Sequence, residues 1–235
     1  VLTEALNSVS YREDILAALF FLIAFIVFLK IDEKSLTPGK FVLYYAVALL
    51  SYLLSLFSKE TSVVLPILMV LFHVFCSSST NTLHAIIKRA KWSYLGYFII
   101  TGFYLFVRFV LFRHVYIRLD QSKQTLFVMI KVFASYIKLL FLPFNLNADY
   151  VVPSVTSGIV SFVVSALLVS TAIILILRVC QHGKRYWFFP LWFFVTLLPV
   201  SNIIPIGNIM AERYLYIPIM GFCGVIGMLI QNCIS

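Results

Sequence analysis

The side chains of this chain that could do chemistry gather in Pro199 to Gly221, PVSNIIPIGNIMAERYLYIPIMG. Glu212 adjoins Arg213 there, with Asn202 and Asn208 before it and Tyr214, Tyr216 and Pro218 after it. Apolar segments flank the stretch on both sides. A charged pair at the mouth of an apolar helix is costly to keep near lipid, so such pairs mark functional sites. The other reading is an ion pair that fixes a helix end at the headgroup level, because such side chains snorkel to water. Acid–base neighbours recur at Arg12-Glu13 and Lys59-Glu60. Carboxylates suit general-base work on a hydroxyl, and Arg or Lys suits a departing phosphate. Glu4, Ser8 and Arg12 are spaced four apart and share a face if the segment is helical, with Tyr11 and Asp14 flanking it.

Other chemistries find no foothold. There is no GxSxG, HExxH, P-loop or Rossmann fingerprint. His73, His84, His114 and His182 are scattered and read as interfacial residues, without metal-ligand spacing. Cys76, Cys180, Cys223 and Cys233 form no CxxC pair and read as small apolar residues. No metal and no cofactor is expected.

The elements that must position these residues are membrane helices. Of 235 residues 62% are hydrophobic and 11% charged, against about 25% charged in soluble domains, and the mean hydropathy is +1.03. Barrel-type alternation is absent. The expected class is all-α, a polytopic helical membrane protein. The net charge of +9 reads as cytoplasmic-loop bias, so no nucleic-acid partner is expected. About seven spans are expected: Ile15–Leu29, Phe41–Phe57, Val63–Phe75, Trp92–Phe112, Gly158–Val179, Phe188–Val200 and Leu215–Ile230. Thr125–Leu142 carries Lys131 and Lys138, and reads as an interfacial or re-entrant amphipathic helix.

Orientation follows from the basic loops Lys88–Lys91 and Lys184–Arg185, which belong on the cytoplasmic side. The outer face then receives Glu4, Glu13, Asp14, Glu60, Asp120, Asp149 and Glu212, seven of the nine acids, leaving Asp32 and Glu33 inside. A face that collects acids and bases suits a polar or charged ligand more than a bare anchor.

TEALNSVSYREDILAALFFLIAF resembles the segment after the first outer loop in the membrane domain of the transmembrane and tetratricopeptide-repeat O-mannosyltransferases. SKET, FNLNADYVVP and SNIIPIGNIMAERYLYIPIMGF resemble later blocks of that family and its bacterial relatives, the AERYLY-P block being the most specific. The resemblance implies part of a GT-C type glycosyltransferase fold. Such enzymes move a sugar, mannose in this family, from a polyprenyl or dolichyl phosphate to a protein Ser or Thr hydroxyl. The work is done at the lumenal face of the endoplasmic reticulum membrane or the periplasmic face of a bacterial inner membrane. The matching positions are Thr3-Glu4-Ala5, Arg12, Lys59-Glu60 and Glu212-Arg213. Leu2 stands where the eukaryotic pattern often has histidine.

On this basis Glu4, Asp14, Glu60 and Glu212 are the expected catalytic carboxylates. Arg12, Lys59 and Arg213 are the expected ligands of the donor phosphate, and Asn202, Asn208 and Asp149 further polar site residues. The family's acidic first-loop motif and its repeats are not within residues 1–235. The chain is therefore expected to be a single membrane domain from the middle of a longer enzyme, inactive alone, with its main base upstream of Val1. A transporter or flippase for a lipid-linked sugar, or a non-catalytic scaffold for a repeat domain, remain as alternatives. A transporter should place polar groups at mid-membrane in broken helices.

Overall fold

The computed structural model describes residues 11–33, 36–76, 83–111, 125–143, 146–147, 150, 159–201 and 209–234. Every regular element among the described residues is helical. In chain order they are α1 (Arg12–Glu33), α2 (Pro38–Ser58), α3 (Leu65–Cys76), α4 (Leu83–Phe106), α5 (Thr125–Phe141), α6 (Ile159–Cys180), α7 (Phe188–Leu197) and α8 (Pro218–Ile234). Short 3₁₀ turns join them at Glu60–Val64, Lys184–Trp187, Leu198–Val200 and Glu212–Leu215. A π-helical turn, Val107–Leu111, ends α4. The chain divides into two compact units, Arg12–Ile117 and Arg118–Ser235, with Tyr11 belonging to the second.

Three helices are long and apolar enough to cross a membrane: α1, α2 and α6. At about 1.5 Å per residue, the 21 residues of α2 reach roughly the ~30 Å of a hydrocarbon core. Of the apolar residues described in α6 only Val179 and Cys180, at its end, are buried. An uncovered apolar surface of that extent belongs against lipid or another apolar partner. Seven spans were expected, and among the described residues three helices have the length and apolarity by themselves. The runs Val63–Phe75 and Phe188–Val200 yield α3 and α7, of 12 and 10 residues. Each is well short of a crossing by itself. Pro66 is tolerated only in the first turn of α3, and the Glu60–Val64 residues before it wind as 3₁₀. α7 passes into the 3₁₀ turn Leu198–Val200, where Pro199 has no N–H to continue the α-helical ladder.

In the first unit α1 and α2 run antiparallel along each other, the start of α1 against the end of α2. Ala17, Phe21, Ala24 and Phe28 form the buried stripe of α1, and Ala48, Tyr52 and Ser55 that of α2. The alanines admit close backbone approach, so Ser55 Oγ donates to the Ala17 carbonyl at 2.8 Å. α4 packs on α2 and α3 through Tyr94 and Tyr97, and Tyr52 Oη lies 2.6 Å from Thr101 Oγ1. His73, expected at an interface, is instead buried beside Phe28 and hydrogen-bonded to Tyr94 Oη.

In the second unit Met129, Val132, Tyr136 and Leu139 of α5 face Phe193, Leu197, Met210 and Leu215 in one apolar core. Lys131 is buried and Lys138 exposed, so the two lysines of α5 do not form one solvated stripe. α7 and α8 lie in close contact. A Cβ at Gly221 would come 2.6 Å from the Phe189 carbonyl oxygen and 2.7 Å from the Phe193 nitrogen. Trp192 Nε1 donates to the Ile217 carbonyl at 3.1 Å, tying α7 to the turn that opens α8. An all-carbon cavity of about 320 Å³ lies between α5, α6, α7 and α8, among Phe133, Ile137, Ala172, Phe193 and Val225.

Candidate functional site

Two polar nodes stand out, one in each unit. The first forms where α2 stops. Ser58 closes the helix, Lys59 is extended (φ −156°, ψ 137°), and Glu60 begins the 3₁₀ turn. The extended residue throws Lys59 back over the start of α1. Its ammonium pairs with Asp14 Oδ1 and lies 3.6 Å from Glu13 Oε1. Asp14 and Lys59 are 7% and 11% exposed, while Glu13 is 54% exposed. Both acids occupy the first turn of α1, where the helix N-terminus favours negative charge.

Glu60 faces another way. Arg108 grips it with a two-pronged contact, Nη1 to Oε2 and Nη2 to Oε1, each at 3.1 Å. Bidentate geometry makes this the stronger kind of carboxylate contact. Arg108 Nη1 also donates to Tyr104 Oη at 2.8 Å. Arg108 sits in the π-helical turn, and such turns cluster at functional sites. The start of α1, the end of α2, the Glu60 turn and the end of α4 thus share one end of the first unit. Arg12 is exposed there and makes no hydrogen bond or ion pair among the described residues.

The second node forms at the AERYLY stretch. Ala211 is extended (φ −151°, ψ 145°) and buried, and its N–H donates to Tyr136 Oη at 3.4 Å. The 3₁₀ turn Glu212–Leu215 follows. Glu212 is 1% exposed. Its Oε1 accepts from Tyr150 Oη at 2.5 Å and from the Asn147 N–H at 3.0 Å. Arg213, 7% exposed, lays its guanidinium over the Tyr11 ring, 3.9 Å from the centroid, and lies 5.3 Å from the Tyr214 centroid. This is cation–π geometry.

Of the residues expected from sequence, Asp14 joins Lys59, Glu60 joins Arg108, and Arg12 is exposed at the same end. Glu212 and Arg213 take different partners within the second unit. Glu4, Asp149, Asn202 and Asn208 lie outside the described residues. Sequence reasoning passed over Arg108, Tyr104, Glu13, Asn147, Tyr150 and Tyr11 as site members. The signal for Arg108 was available: it is an arginine inside an otherwise apolar run, FYLFVRFVLF. Among the described residues no three His, Cys, Asp or Glu side chains come together in a metal-binding group.

Fold and nodes together define an all-α chain with helices of membrane-crossing length and buried acid–base nodes at helix ends. Compared with family models, curated proteins and solved structures, the chain matches none of them.

Proposed function

We propose that the chain is the central part of a membrane glycosyltransferase that moves a sugar, mannose by its resemblance, from a polyprenyl or dolichyl phosphate to a protein Ser or Thr hydroxyl. The observation that carries this reading is that the four blocks bearing the resemblance meet in pairs. The first block supplies Asp14 to Lys59 of SKET. FNLNADYVVP supplies Asn147 and Tyr150 to Glu212 of AERYLY. Polar residues that a simple anchor would not require are therefore used in joining the blocks. They sit at helix ends, which favours an enzyme over a transporter with mid-span sites.

In this reading the shorter apolar helices complete a domain of about seven spans of GT-C type, with α5 at the interface. The nodes lie at the lumenal or periplasmic face of an endoplasmic reticulum or bacterial inner membrane. The acceptor oxygen attacks the sugar C1, the C1–O bond to phosphate breaks, and the configuration inverts. The acceptor proton goes to a carboxylate, and the bonding pair leaves with the lipid phosphate. Arg12 suits that phosphate best, being exposed and without an ion pair among the described residues. Lys59 is already matched by Asp14 and Glu13, and holds the end of α2 in place. Arg213 is 7% exposed, with the face of its guanidinium on Tyr11. Glu13 and Glu60 are the more exposed carboxylates of the first node.

The test is transfer of labelled sugar from a polyprenyl phosphate donor to a Ser/Thr-rich acceptor by the full-length protein in detergent. Label in the acceptor, reduced at least about tenfold by Arg12→Ala without loss of folded protein, is the expected result. No transfer by folded wild-type protein with any polyprenyl phosphate sugar shifts the reading to a flippase or a scaffold.

A further inference from the structure

We infer that Glu212, one of the carboxylates that sequence alone assigns to catalysis, is a positioning residue that latches Asn147 and Tyr150 onto the AERYLY turn. Three observations carry this. Glu212 is 1% exposed, whereas a base acting on an acceptor must be reached by it. Its Oε1 already accepts two hydrogen bonds, from Tyr150 Oη at 2.5 Å and the Asn147 N–H at 3.0 Å. The Asn147 N–H also lies 3.2 Å from Tyr150 Oη, so carboxylate, phenol and amide close a triangle. The phenol donates to the carboxylate and accepts from the amide.

The turn holding Glu212 is fixed independently of the loop. Ala211 is tied to Tyr136 of α5, and Leu215 is buried in the core of the second unit. The carboxylate is therefore the fixed half of the latch, and Asn147 and Tyr150 are what it positions. Both donors are neutral and both reach the same oxygen. A glutamine offers that oxygen too, so the latch needs an acceptor at this place and not a negative charge. A general base would need the charge.

The functional arm rests on the glycosyltransferase reading, and the structural arm does not. In the full-length protein, hydrogen exchange at the Asn147 amide reports the latch directly. Exchange stays slow in Glu212→Gln and speeds up about tenfold or more in Glu212→Ala, as loss of the acceptor of that N–H requires. Tyr150→Phe, which leaves the buried carboxylate in place, speeds it by less. Transfer follows the same order: Glu212→Gln keeps activity within a few-fold of wild type, and Glu212→Ala loses it. Transfer abolished in Glu212→Gln while the Asn147 amide stays protected gives the charge a part in the chemistry and overturns the inference. Unchanged exchange in both Glu212→Ala and Tyr150→Phe removes the latch itself. Should Glu212→Ala fail to fold, Tyr150→Phe and Glu212→Gln decide the matter between them. Wild-type protein that transfers no sugar sinks the enzyme reading alone, since the exchange result still stands.

Discussion

Replacing Lys59 with alanine removes the ammonium that faces Asp14 across the end of α2. Asp14 is 7% exposed and Lys59 11%, so water does little to replace the lost partner. Breaking a buried ion pair from one side typically costs about 3–5 kcal/mol. The reciprocal change differs. Asp14→Asn keeps an oxygen acceptor, and Lys59 retains Glu13, which lies 3.6 Å away and is 54% exposed. The cost should then be that of a weakened hydrogen bond, about 1–1.5 kcal/mol. Lys59→Ala should therefore lower the unfolding midpoint about two- to fivefold further than Asp14→Asn, and the double variant should recover part of the loss through a coupling of roughly 1–3 kcal/mol. The assay is thermal unfolding in detergent, followed by loss of the monodisperse peak on size exclusion. Turnover per folded molecule is measured beside it. Equal or reversed costs for the two single variants would refute the burial argument. Unchanged stability with lost turnover would return Lys59 to the role of a phosphate ligand.

Two further expectations concern packing. Gly221→Ala drives a Cβ into the Phe189 carbonyl and the Phe193 nitrogen of α7, so it should destabilise by about 1–3 kcal/mol. Gly227→Ala on the same helix meets nothing within 4 Å and should be neutral or slightly stabilising, since alanine is the better helix former. Equal unfolding midpoints for the two would mean that α7 and α8 are not held this closely. Tyr97→Phe removes a buried hydroxyl that has no hydrogen-bond partner among the described residues, while its ring keeps the contacts with Phe28, Tyr45 and Tyr52. It should leave the midpoint unchanged or raise it, and a clear fall would reveal a partner for that hydroxyl.

The long helices were legible because a continuous apolar run of about 20 residues has few alternatives. The expected Phe41–Phe57 is found as Pro38–Ser58, and Gly158–Val179 as Ile159–Cys180. Apolarity alone did not say where a run breaks. Val63 reads as the entry to a span, yet Ser62 just before it turns its Oγ back to the Ser55 carbonyl at 3.3 Å and lies 2.6 Å from Ser55 Oγ, within a 3₁₀ turn. A serine that finds a backbone acceptor locally competes with the regular helix. That competition depends on the chain turning back at Lys59 so that Ser62 meets Ser55, which apolarity around Ser62 does not report.

The polar nodes were legible as inventory and not as pairs. The sequence offers Lys59 beside Glu60 and Glu212 beside Arg213, and adjacency invites reading each as an ion pair. In the fold every one of these neighbours takes its own distant partner. Lys59 goes to Asp14, Glu60 to Arg108, 48 residues away, Glu212 to Tyr150, 62 away, and Arg213 to Tyr11. The physical reason lies in the backbone at both places. An extended residue, Lys59 or Ala211, leads into a 3₁₀ turn that begins at Glu60 or Glu212. Successive side chains there leave the chain in different directions. Charge neighbours at such a junction are thus dealt out to separate elements and tie three or four of them together. An alanine scan that treats them as pairs would find the two members of each couplet independent, and the coupling would appear between residues that no local motif connects.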